Sequence, residues 1–139
     1  CMSTVIDLTN LSPEEAREEY ARLRKKGHKY HAQATWYLGE RYDSMAEANY
    51  AALLESLRQA GVILEWRRGT AITLVPGTWK ERVTYRPDFL VHQSAKEGSY
   101  YVDVKGMKTP IFKLKMKLLK YVMPTIRLLI VSKDGERWL

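Results

Sequence analysis

Residues 87–105 read Pro-Asp-Phe-Leu-Val-His-Gln-Ser-Ala-Lys-Glu-Gly-Ser-Tyr-Tyr-Val-Asp-Val-Lys, and the fold turns on how this stretch pairs with itself. Two β-prone runs, 82–92 and 99–105, flank a polar connection at 93–98, which is the pattern of a hairpin. A loop centred between Ala95 and Lys96 sets His92 opposite Ser99, Leu90 opposite Tyr101 and Asp88 opposite Asp103. Directly opposed residues share a sheet face, with Cβ atoms roughly 4.5–5.5 Å apart. Two carboxylates that close repel, and in half-buried surroundings one of them must keep a proton. A divalent cation removes the conflict. Magnesium wants oxygen ligands, and one or two carboxylates beside water and phosphate suffice. Lys105 lies two residues beyond Asp103 and so points to the same face. There an ammonium next to a cation and a phosphate offsets the charge building on phosphorus. Val104 points its side chain the other way, which frees its backbone carbonyl as a further metal ligand. The plainer alternative makes Asp-x-Lys a surface pair and Pro-Asp a turn. Against it stand the matched register and the apolar neighbours Phe89, Leu90, Val91, Tyr100, Tyr101 and Val102.

Working outward, 62–66 and 70–75 read as strands split by Arg67-Arg68-Gly69, with a turn at Pro76-Gly77. Upstream, Ser44-Met45-Ala46-Glu47 is a capping box that opens a helix closed by Gly61, with Tyr50, Leu53, Leu54 and Leu57 as its apolar stripe. Glu47 fits a capping acid that satisfies a backbone amide. It also lies about 20° around the helix from Leu54, where an acid reaches the sheet edge. Residues 28–43 are irregular, basic and aromatic, and supply Lys29, Tyr30 and Arg41 as DNA contacts. A first helix starts at Ser12-Pro13-Glu14-Glu15, runs to about Lys26 and stops at Gly27. With only Tyr20 and Leu23 as large apolar residues, it reads as a loosely attached arm over 1–27, ahead of a main domain at 28–139. Downstream, Thr109-Pro110 starts a third helix ending near Val122, and 125–131 is a buried strand. The order α, α, strands, α, β implies an α/β fold, a mixed sheet flanked by helices.

The balance of 23 Lys and Arg against 16 Asp and Glu gives a net charge of +7, which points to a polyanionic partner, nucleic acid first. The one cysteine, Cys1, precedes Met2 and reads as an addition before the natural start. The rest therefore has neither disulfides nor Cys-ligated zinc. No apolar run nears the roughly 20 residues that span a bilayer, so the expectation is a cytoplasmic protein without a membrane partner. His28, His31 and His92 are too scattered for a metal site. Lys113, Lys117 and Lys120 share one face of the third helix. They form either a solvated row or, with Lys108, a set of phosphate contacts.

These residues resemble a family. Lys29-Tyr30, Tyr42-Asp43-Ser44 with Glu47, Gly61, Tyr85 with Asp88-Phe89, Asp103-Val104-Lys105-Gly106, and Thr109 with Phe112, Leu114-Lys115 and Lys117-Leu118 are similar to the small phage and prophage proteins of the DUF1064 group. That group is placed in the PD-(D/E)xK nuclease superfamily, with Holliday-junction resolvases and restriction endonucleases. The resemblance covers about residues 28–131 and implies a restriction-endonuclease-like fold. By it, Asp88 and Asp103 are metal ligands, Lys105 is the catalytic lysine, and Glu47 completes the site directly or through water. Lys115 or Lys117 takes an auxiliary position. The implied activity is a magnesium-dependent endonuclease, with manganese as a substitute, acting on branched or processed phage DNA in a bacterial host. Phage replication or recombination proteins are further partners to expect. The competing expectation is a basic DNA-binding accessory protein that keeps the fold without cutting. Resolvase-like cutting of two strands requires a homodimer, and no sequence feature marks its surface.

Overall fold

Capping chemistry sets the helix starts. In the computed structural model, which describes residues 5–26 and 34–139, α1 (Pro13–Lys26) begins with a reciprocal capping box. The Glu15 amide donates to the Ser12 hydroxyl and the Ser12 amide to the Glu15 carboxylate, each at 3.2 Å. Ser44 caps α2 (Met45–Gln59) by accepting from the Glu47 amide at 3.1 Å, and Gly61 follows its end at φ 78°, a left-handed conformation that glycine adopts without strain. Thr109 caps α3 (Pro110–Val122) in the same manner.

The strands are β1 (Thr35–Tyr37), β2 (Glu40–Tyr42), β3 (Glu65–Arg68), β4 (Ile72–Val75), β5 (Val83–Tyr85), β6 (Phe89–Ser94), β7 (Gly98–Val104), β8 (Leu128–Ser132) and β9 (Gly135–Trp138). Five of them form one mixed sheet in the order β3-β6-β7-β8-β9, with β7 and β8 parallel across the α3 crossover and the other pairs antiparallel. β1-β2 and β4-β5 are separate two-stranded ribbons.

Alternation along the strands divides the interior between the two sheet faces. On one face Phe89, Val91, Val102, Leu129 and Val131 pack with α1 and α2, through Ala16, Tyr20, Tyr50, Leu53, Leu54 and Leu57. On the other, Leu128 and Ile130 pack with Phe112, Met116 and Leu119 of α3 and with Leu74 and Tyr85 of the β4-β5 ribbon. The result is an α/β layered fold, and among the described residues no helix is long and apolar enough to cross a membrane.

Several expectations are corrected. α1 is no loose arm: Ala16 and Tyr20 are buried, and the Tyr20 ring meets Tyr50 edge-on at 5.2 Å. Few apolar residues suffice because α1 covers α2, itself buried through small Ala48, Ala51 and Ala52. The segment read as irregular holds the β1-β2 hairpin, whose turn residues Leu38 and Gly39 sit at φ 49° and 78°, the left-handed pair a tight hairpin requires. Arg67 and Arg68 lie inside β3, paired with Leu90 and Phe89, and the break falls at Gly69. The run 82–92 is two strands: Pro87 has no amide to donate, and the chain leaves the β4-β5 ribbon for the main sheet there. Edge strand β9 is an addition to the expected elements, joined to β8 by the two-residue turn Lys133-Asp134.

Candidate active site

The hairpin register holds where it matters. Phe89 pairs with Val102, Leu90 with Tyr101, Val91 with Tyr100 and His92 with Ser99, as a loop centred between Ala95 and Lys96 requires. Beyond His92 the ladder slips, and Ser94 meets Gly98. At the other end, Asp88 falls just before β6 and its carboxylate takes over from the ladder, accepting the Val104 amide at 2.7 Å. Asp103 sits in β7 opposite Ile130 of β8, and so on the sheet face that packs against α3. Val104 points to the other face and packs in the first core.

Gly69 fixes the Pro87-Asp88 segment from behind. Its amide donates to the Asp88 carbonyl at 3.0 Å, and a Cβ added at Gly69 would stand 2.2 Å from the Pro87 carbonyl oxygen. Only glycine allows that approach.

Asp103 is 1% exposed. Its Oδ2 accepts the Tyr85 hydroxyl, delivered by β5 from the neighbouring ribbon. Oδ1 is buried and has no hydrogen bond among the described residues, although Lys105 Nζ stands 3.4 Å away. That separation is within ion-pair range, but the ammonium is out of line for a hydrogen bond, so this oxygen keeps its acceptor capacity. Lys105 Nζ also lies over the Phe112 ring at 4.7 Å, which holds it between the sheet and the first turn of α3.

Burial dominates the electrostatics of the site, and charge repulsion adds to it. Burial raises the Asp88 pKa from 3.8 to about 8, with further upward pressure from Asp103 and Glu47; the Val104 hydrogen bond and Lys105 oppose it only in part. Glu47 is raised too, first by burial and then by Asp43, with Arg68 pulling the other way and Asp103 adding to the rise. Burial, then the Asp103 charge, pushes the Tyr85 phenol well above its usual range, so its hydroxyl stays a donor to Asp103.

Two repelling carboxylates, one with a buried oxygen lacking a hydrogen bond, form a donor set that suits a small hard cation. Glu47 belongs to this group through its charge: among the described residues no three of His, Cys, Asp and Glu stand close enough to cage a metal ion.

The lysines of α3 separate as helical spacing requires. Lys113, Lys117 and Lys120 are exposed, whereas Lys115 is half-buried beside the face that packs on the sheet. Lys108 is half-buried ahead of the helix. Arg41 is exposed and pairs with Asp43 at 3.1 Å. Lys29 and Tyr30 lie outside the described residues.

Two further residues join the site. One is Tyr85, the donor to Asp103. The other is Arg68, whose guanidinium stacks 4.3 Å from the Tyr42 ring centre, donates to the Arg41 carbonyl at 2.7 Å and faces the charge of Glu47. Splitting the strands at Arg67-Arg68-Gly69 hides Arg68. Ending the strand at Gly69 instead would have exposed it.

Residues 27–135 match the family described as "Protein of unknown function (DUF1064)", and the chain belongs to that family. α1 lies outside the match but inside the same core. No curated protein and no solved structure matches the chain.

Proposed function

We propose that this DUF1064 protein is a divalent-metal-dependent endodeoxyribonuclease of the restriction-endonuclease-like type. It hydrolyses DNA phosphodiester bonds, with branched or processed phage DNA as its substrate and the host cytoplasm as its place of action. One observation carries the reading: half-buried Asp88 and fully buried Asp103 converge at the end of the β6-β7 hairpin, with Lys105 Nζ 3.4 Å from Asp103 Oδ1. A purely structural role would leave this arrangement costly, since paired buried carboxylates destabilise the fold.

Asp88, Asp103 and the Val104 carbonyl would hold magnesium, or manganese in its place, with Glu47 acting through water. When bound, the cation supplies Lewis acidity, drawing charge off the phosphodiester and acidifying an attacking water. Asp103 is kept in place by the Tyr85 hydroxyl and Asp88 by the Val104 amide, so neither needs to reorganise when substrate arrives. Lys105, braced on Phe112, is positioned to approach a phosphate oxygen and stabilise the charge that grows there. Lys115 serves as the auxiliary lysine. Lys113, Lys117 and Lys120, together with Lys108, contact the DNA backbone as point charges.

The test is magnesium-dependent cutting of supercoiled plasmid and of a four-way junction by the purified protein. The proposal expects cleavage that stops when the metal is chelated. DNA binding without cutting of either substrate, in magnesium or manganese, would replace the nuclease with a non-catalytic accessory protein.

A further inference from the structure

Helix α3 carries an apolar ridge that its own fold leaves uncovered. Phe112, Met116 and Leu119 face inward and are buried. Ile111, Leu114, Leu118 and Tyr121 follow one another at alternating spacings of three and four, on an adjoining arc of about 80°. Ile111 is 68% exposed, Leu114 58% and Tyr121 85%, with Leu118 half-buried between them. Met107, just ahead of the helix, is exposed as well. Single exposed apolar side chains are ordinary, but a contiguous row marks a contact surface. The spacing is that of a helix-pairing seam.

Next to the ridge, on an arc of about 60°, run Lys117, Lys113 and Lys120, all exposed. Between 104 and 133 the chain has no acidic residue to balance them.

We propose that this ridge is the contact between two copies of the chain, packed α3 against α3 in antiparallel orientation. A seam of this spacing is self-complementary under a two-fold axis. Orientation follows from the lysines. In an antiparallel pair the two-fold is perpendicular to both helices, so each lysine row stays on its side and the two rows join into one basic surface. In a parallel pair the axis runs along the helices and throws the rows to opposite sides.

The joined surface repels itself until a polyanion lies across it, and the DNA backbone is that polyanion. Self-association is therefore weak alone and strengthened by duplex. The role given to DNA rests on the proposed function; the ridge contact does not. A helix of 13 residues is about 20 Å long. Two such ridges bury on the order of 1,000 Å², near the lower bound for a specific interface. Lys105 lies against Phe112 in the first turn of α3. Antiparallel packing centred on the ridge then sets the two Lys105–Phe112 contacts on the order of 12 Å apart along the helix direction, one for each strand.

Sedimentation velocity on the full chain, in metal-free buffer that prevents cutting, tests the contact with and without a short duplex. The wild type should pass from monomer to dimer between micromolar and several hundred micromolar concentrations, and at lower concentration with duplex. Leu114→Glu and Ile111→Glu alter exposed positions, so their unfolding midpoints should match wild type. Each should weaken self-association by about a hundredfold or more, because the new carboxylate would be buried without a partner. A wild type that remains monomeric throughout, with and without duplex, would overturn the inference, as would variants that dimerise like wild type. The readout needs no catalysis, so a dimer that fails to cut DNA would support the contact while removing the nuclease.

Discussion

Asp88→Asn keeps the shape of the side chain and the hydrogen bond from the Val104 amide, and removes one of the two repelling charges. Its effect on the metal-free protein should depend on pH. Burial and Asp103 hold the Asp88 pKa at about 8 in the folded protein, against 3.8 for an ordinary aspartate. A carboxyl raised on folding keeps its full contribution to stability below the unfolded value and loses it as pH climbs through the folded one. Below about pH 4 both proteins therefore carry an uncharged group at this position and should be comparably stable. Between about pH 4 and pH 8 the wild type should fall progressively behind, and above pH 8 the gap should level off. The full difference is on the order of 6 kcal/mol, an upper figure because Asp103 shares the repulsion. The assay is urea unfolding with chelator present, repeated at intervals from pH 4 to 8.5. Magnesium added at pH 8 should then raise the wild-type midpoint and leave Asp88→Asn nearly unmoved, since only the folded wild type holds the ion. A stability gap that does not change with pH, or a variant less stable at pH 8, would refute the account of Asp88.

Lys105→Ala should keep DNA affinity and lose about a hundredfold or more in single-turnover rate at saturating magnesium, because its effect lies in the transition state; a rate near wild type would make it a surface residue. Tyr85→Phe removes the donor to Asp103 Oδ2. It should cost about 1–3 kcal/mol in stability and raise the magnesium concentration that half-saturates cleavage, read from a thermal melt and a metal titration. Replacing Lys113, Lys117 and Lys120 together with Gln should flatten the plot of log affinity against log salt by up to roughly 3 units. An unchanged slope would return that row to solvent. Lys115→Gln should depress turnover more than affinity, and a change confined to affinity would place it with the other lysines.

What the sequence discloses is what short-range rules govern. Ser12, Ser44 and Thr109 announce their helices because a cap acts within one turn. The hairpin of β6 and β7 is readable because its register follows from loop length and strand alternation. That register points Asp88 toward Asp103, but the ladder ends at Phe89 and Val102, and the Val104 and Gly69 amides complete the placement. Tyr85 as the donor to Asp103 is not readable from spacing. It arrives from a ribbon whose placement depends on the break at Pro87 and on packing against α3. The docking of α1 also escapes local reading, since Ala16 is buried by what α2 presents, and small residues give no strong pattern. Glu47 is half-buried at the start of α2, and its interaction with Arg68 follows only from the true end of β3.

The central claim is that Asp88, Asp103 and Lys105 form a metal-dependent phosphodiesterase centre. Its most direct test is the single-turnover cleavage of a DNA substrate by wild type and by Asp103→Asn, measured across a magnesium titration with DNA binding followed in parallel. The account predicts magnesium-dependent cutting by wild type, and no detectable cutting by Asp103→Asn at any magnesium concentration while it still binds DNA. Equal cutting by both proteins, or wild-type cutting that persists in chelator, would contradict it.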